Sequence, residues 1–99
     1  MSVNKSEKRI EEIKNELAKI GSMRPGALTK QARGGKGEYY HLSYTYKNKG
    51  KTEYIRKTFV NIIEKEINNY KLFKSLMDEW VELSINISKQ NLKNKKSEN

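Results

Sequence analysis

The chain has no cysteine, one proline, one histidine and, in Asp78, a single aspartate. Each shortage removes a class of chemistry. Without cysteine there is no disulfide framework and no thiolate zinc site. General acid–base or nucleophilic catalysis needs a titratable group oriented by a second one. His41 has no Cys or Asp near it in sequence. The acidic clusters Glu11/Glu12, Glu64/Glu66 and Asp78/Glu79/Glu82 have the spacing of solvated helix faces that pair with lysine. A non-enzymatic protein without metal or cofactor is expected. There is also no run of about 18 apolar residues, so no membrane span is expected. Met1–Leu17 alternates charged and apolar residues, unlike the continuous apolar stretch of a secretory signal. A cytoplasmic setting is the simplest expectation.

What is present is positive charge. The 99 residues carry 21 Lys+Arg against 12 Asp+Glu, and only 34% are hydrophobic. A single domain with a thin core follows, and a homodimer is one way to bury more surface. The charge is concentrated. Between Met23 and Thr58, nine bases (Arg24, Lys30, Arg33, Lys36, Lys47, Lys49, Lys51, Arg56 and Lys57) face only Glu38 and Glu53, a net +7. The rest holds twelve bases and ten acids. An AT-rich genome would raise lysine and asparagine everywhere, but it would not strip acids from one segment. A concentrated positive field attracts polyanions.

The order of elements follows from periodicity. Ile10, Ile13, Leu17 and Ile20 recur at steps of 3, 4 and 3, the stripe of a helix packing on another helix. That helix spans residues 1–21, capped by Asn4 or Ser6 and stopped by Gly21. Residues 22–37, SMRPGALTKQARGGKG, read as a Pro25-Gly26 turn and a flexible basic loop. Its glycines lack the Gly-x4-Gly-Lys-Ser/Thr spacing of a phosphate-binding loop. From 38 to 57 a β-hairpin is expected: Tyr40, Leu42, Tyr44 and Tyr46 alternate with Tyr39, His41, Ser43 and Thr45. Lys47-Asn48-Lys49-Gly50 makes the turn, with Gly50 suited to a left-handed position. A long amphipathic helix follows over 58–92, either continuous or bent near Asn68-Asn69. Its stripe is Phe59, Ile63, Ile67, Tyr70, Phe73, Leu76/Met77, Trp80, Leu83 and Ile87. Residues 93–99 form a polar, fraying tail. The fold class is α+β: N-terminal helix, basic loop, two-stranded antiparallel hairpin and long helix, a helical hairpin with a projecting β-hairpin.

Several runs carry a family likeness: Met23-Arg24-Pro25-Gly26-Ala27-Leu28-Thr29-Lys30-Gln31, Gly37 through Thr45, Gly50-Lys51-Thr52 with Tyr54-Ile55, and Asn69-Tyr70-Lys71-Leu72-Phe73. Over roughly residues 10 to 90 the chain resembles a small prokaryotic family, a domain of unknown function often seen near transposons and other mobile elements. The family pattern reads "RPGSL", "GPYYxLS", "GGKT" and "NYRRFRELLEEL". Many of its members place a cysteine cluster before the hairpin, and the resemblance implies a metal knuckle there. Here Ala32-Arg33-Gly34-Gly35-Lys36 stands there instead. The resemblance implies the architecture and a mobile-element context, with no settled activity.

The functional expectation is a nucleic-acid-binding accessory or regulatory protein of a mobile element. Its candidate contacts are Arg24, Lys30, Arg33, Lys36, Tyr39, His41, Lys47, Lys49, Lys51, Arg56 and Lys57. Basic residues neutralise phosphates, a two-stranded ribbon fits a major groove, and outward tyrosines stack on unpaired bases. A lone hairpin is unstable, so Tyr40, Leu42, Tyr44 and Tyr46 are expected to face the helices. Tyr70, Phe73, Met77, Trp80 and Ile87 are the expected core or dimer seam. A second expectation is a phage or mobile-element inhibitor, anti-CRISPR-like, that binds a nucleoprotein complex.

Overall fold

A computed structural model describes the backbone of residues 3–32 and 38–98 and the side chains of residues 3–30 and 39–94. Helix α1 spans Val3–Lys19, strands β1, β2 and β3 span Ala27–Ala32, Glu38–Tyr46 and Lys49–Arg56, and helix α2 spans Val60–Glu98 after a short 3-10 turn. The α+β class and the order helix, hairpin, long helix are as expected. The sheet differs: it has three antiparallel strands, β1-β2-β3, because part of the supposed loop is a strand. An edge of β2 offers unpaired N–H and C=O groups, and Ala27–Ala32 runs antiparallel along it from Ala27 opposite Ser43 to Ala32 opposite Glu38. Arg33 and Lys36, with Gly34, Gly35 and Gly37, lie outside the described residues.

The chain divides into two compact units. The first combines residues 1–20 with 73–99. Its core is Ile13, Leu76 and Leu83, with Ile10, Leu17, Ile20 and Trp80 packed against it. These are the positions that the 3–4 spacing puts on one face of each helix. Ser6 does not cap α1; it lies inside the helix and is buried. Across the pair, the guanidinium of Arg9 grips Glu79 through Nε–Oε2 at 2.7 Å and Nη2–Oε1 at 2.9 Å. The Arg9 hydrogen bond holds the Glu79 carboxyl below its ordinary range, and the same bond raises the Arg9 pKa. Arg9 also reaches Glu12 and Glu16, and Lys14 reaches Glu11. Lys14 lies over the Trp80 ring as well, at 5.5 Å.

The second unit, residues 21–72, holds the sheet and the first turns of α2. Leu42 is fully buried at its centre, and Val60 and Ile67 of α2 are buried too. Leu28, which pairs with Leu42, lines one small cavity of about 330 Å³ with Ile67, Glu64 and Lys71. The Leu28–Leu42 face is therefore the one turned to the helix. Two hydrogen bonds fasten the lead-in to β1: Arg24 N–H donates to the Glu66 carbonyl at 3.0 Å and Asn69 Nδ2 donates to the Ser22 carbonyl at 2.8 Å.

Gly26 explains why the turn needs glycine. Its φ is +126°, and a Cβ there would lie 2.7 Å from the Ser43 carbonyl oxygen and 2.9 Å from Leu42 Cδ1. Gly50 and Gly21 have no such requirement. The left-handed positions of the hairpin turn are Lys47 (φ 52°) and Asn48 (φ 66°). That is the two-residue geometry in which both central residues take positive φ, so Gly50 falls inside β3. The long helix is continuous from Val60 to Glu98, since neither Pro nor Gly interrupts it. It runs through the stretch read as a fraying tail. From Ile63 onward, every position of the expected stripe is buried or half-buried, whereas Phe59 is exposed.

Candidate functional site

The turn at Lys47-Asn48 fixes the register of the hairpin, with Tyr46 opposite Lys49, Tyr44 opposite Lys51, His41 opposite Tyr54 and Tyr39 opposite Arg56. Directly opposed residues share a face. The sheet therefore sorts the expected contacts into two groups. Leu42, Tyr40, Tyr44 and Tyr46 share the helix-facing side with Lys49 and Lys51. Tyr39, His41, Ser43 and Thr45 share the other side with Tyr54, Thr52 and Arg56, and β1 adds Thr29 beside His41 and Ala27 beside Ser43.

On that second side three aromatic rings meet. His41 and Tyr54 lie edge-to-face with centroids 4.7 Å apart, Tyr39 and Tyr54 meet edge-to-face at 5.9 Å, and Tyr39 and His41 are 6.1 Å apart. Such pairs hold one another at the distances aromatic rings prefer. Tyr54 is 72% exposed while Tyr39 and His41 are half-buried. The His41 Nε2 atom is buried and has no hydrogen-bond partner among the described residues. His41 packs against Tyr54 and Tyr39, and its Nε2 is buried in this arrangement. Tyr54 is the residue that reading the sequence missed. Its signal was present in the turn, because a two-residue connection at Lys47-Asn48 places residue 54 opposite residue 41.

Next to the rings, toward the hairpin tip, a shallow depression of about 470 Å³ is lined by residues of all three strands, among them Ser43, Thr45, Gly50 and Thr52. Hydroxyls and small residues leave room here for a ligand's own polar groups.

The basic residues take different roles. Lys49, Lys51 and Arg56 are exposed. Lys47 is exposed with its Nζ 5.4 Å from the Tyr46 ring, a cation–π contact at the tip. Lys30 and Lys57 are also exposed. Arg24 is committed internally: its guanidinium pairs with Glu53 and lies 5.0 Å from the Tyr44 ring. It clamps the lead-in of β1 to the hairpin. Tyr70 lies in the sheet unit, and Phe73, Met77, Trp80 and Ile87 lie in the helical unit, all half-buried. Beside Trp80, the exposed Val81 and Ile85 form an apolar groove of about 430 Å³ with Met77, Ser84, Ser88 and Lys89. Among the described residues no group of three or more His, Asp or Glu is gathered as metal ligands, and no helix is long and apolar enough to cross a membrane.

A family model described as a domain of unknown function, DUF6788, matches residues 3–66. That is well over half of the chain, which therefore belongs to this family. The match takes in α1, the whole sheet and the start of α2, and it ends before Asn69–Phe73. No curated protein and no solved structure matches the chain.

Proposed function

We propose that this DUF6788 chain is a nucleic-acid-binding accessory or regulatory protein of a mobile genetic element, working by binding and not by catalysis. One observation carries the binding part. Lys47, Lys49, Lys51 and Arg56 are exposed on one hairpin, within a unit of eleven bases and four acids. Charges so placed gain little from the fold and release counterions when they meet phosphates. The mobile-element setting rests on the sequence resemblance alone. The reading includes a homodimer through the Met77–Val81–Ile85 groove. Exposed valine and isoleucine beside a tryptophan are the kind of anchors that protein interfaces bury, and a chain with so thin a core gains from that burial.

The test is a mobility-shift titration of the full chain with generic DNA and RNA across a salt series. Binding that weakens steeply with salt, and weakens further in a Lys47/Lys49/Lys51→Ala variant, is expected. Absent or salt-insensitive binding contradicts the reading. Recovery of a specific protein complex after nuclease treatment would favour the nucleoprotein inhibitor instead. For the dimer, light scattering should give twice the chain mass, reduced to one chain by Val81→Glu with Ile85→Glu.

A further inference from the structure

We infer that the side of the sheet bearing Tyr39, His41 and Tyr54 is a seat for single-stranded nucleic acid, an inference that rests on the nucleic-acid reading above. Three observations converge on it. The first is Tyr54, a large aromatic ring 72% exposed on a strand. Its ring is braced edge-on by His41 at 4.7 Å and by Tyr39 at 5.9 Å. A ring held in place by its neighbours loses little side-chain freedom when a ligand stacks on it. Its remaining open surface suits the π-face of a base.

The second observation is chemical gradation along the same side. Arg56 sits opposite Tyr39 at one end, and Ser43, Thr45 and Thr52 line the depression toward the tip. Lys49 and Lys51 point to the other side of the sheet, so Arg56 is the cation beside the rings. Hydroxyl and cationic groups are the usual donors to sugar and phosphate oxygens. An aromatic platform with a cationic border is what sequence-tolerant strand binders use. An apolar protein partner would find three hydroxyls and the Arg56 cation beside one aromatic cluster.

The third observation separates one strand from two. A duplex hides the faces of its bases, so it can meet phosphates here but offers nothing to Tyr54. The part of the sheet that holds the rings has three strands, with outer strand axes about 10 Å apart before side chains are added. That breadth does not enter a major groove about 12 Å wide. Only the tip beyond Ser43, where β1 has ended, remains a two-stranded ribbon. Duplex binding would therefore use the tip and leave Tyr54 idle.

The experiment is fluorescence anisotropy of the full chain with a labelled oligothymidine and with a hairpin duplex of equal phosphate count, at one salt concentration. Tighter binding of the single strand is expected. Tyr54→Ala should weaken it about tenfold, by loss of one stacked base, and leave duplex binding unchanged, while Tyr54→Phe keeps the affinity. Circular dichroism of the variants confirms the fold, and amide shift mapping on the unmutated protein gives a second readout at Tyr39–Thr45 and Thr52–Arg56. Equal or tighter duplex binding, or an unaffected Tyr54→Ala, overturns this inference and leaves the polyanion reading standing. Salt-sensitive binding to neither probe overturns both.

Discussion

The two units use charge in opposite ways. In the helical unit ten bases stand against eight acids, and Arg9 alone reaches Glu12, Glu16 and Glu79. In the sheet unit, eleven bases meet four acids. One of those acids, Glu53, is taken up by Arg24, which fastens the lead-in of β1. The contrast shows that charge in this chain is not a uniform solubility coat. Ion pairs brace the two helices, and Lys47, Lys49, Lys51 and Arg56 of the hairpin are exposed.

The comparison can be broken most strongly at the core of the sheet. Leu42 is fully buried, so Leu42→Ala should cost about 2–5 kcal/mol through lost burial and a residual cavity. Denaturant unfolding measures it, and nucleic-acid binding should fall with the sheet. Gly26→Ala comes next. The positive φ and the 2.7 Å approach to the Ser43 carbonyl oxygen predict a loss of roughly 1–3 kcal/mol, visible in the same unfolding curve.

A smaller and opposite effect is expected at His41. Its buried Nε2 has no partner among the described residues, and an unmade hydrogen bond of this kind costs on the order of 1–3 kcal/mol. His41→Phe keeps a ring against Tyr54 and removes the orphan atom, so stability should hold or rise and binding should persist. Loss of binding without loss of stability would give His41 a contact role.

The smallest effect belongs to the helical unit. Glu79 titrates below its ordinary range because Arg9 hydrogen-bonds it. A carboxyl lowered in the folded state contributes stability above its unfolded value, near 4.3, and loses it as pH falls through the folded value. Glu79→Gln should therefore unfold slightly more easily at neutral pH, with the gap closing in acid. Exposed pairs contribute little, so thermal scans of both proteins across the acid range are the suitable comparison. Nucleic-acid binding should not change.

Much of this was legible before any coordinates. The 3–4 spacing of Ile10 to Ile20 and of Ile63 to Ile87 named the packed faces of both helices, and alternation from Tyr39 to Tyr46 named the strand and the side that buries Leu42. The third strand was not legible, because Ala27–Ala32 carries one β-branched residue and no clear alternation. It becomes a strand by pairing with β2. Gly50 drew the left-handed assignment on composition, yet Asn48 tolerates that conformation and Lys47 is carried along by the two-residue turn. Arg24 looked available for phosphate because its partners, Glu53, Tyr44 and the Glu66 carbonyl, are distant in sequence. Tyr54 was overlooked among β-formers, since an aromatic cluster belongs to register and only the turn geometry discloses it.

The central claim, that the sheet unit presents its charges to a polyanion, has one direct measurement. It is the slope of log affinity against log salt for the full chain on an oligothymidine, compared with a Lys49→Ala, Lys51→Ala, Arg56→Ala triple variant. Each phosphate contact contributes about 0.7 to that slope on a single strand. The account predicts a steep slope that becomes shallower by about 2 in the variant, if each cation neutralises one phosphate. An equal slope in the two proteins, or no measurable binding by the parent, would contradict it.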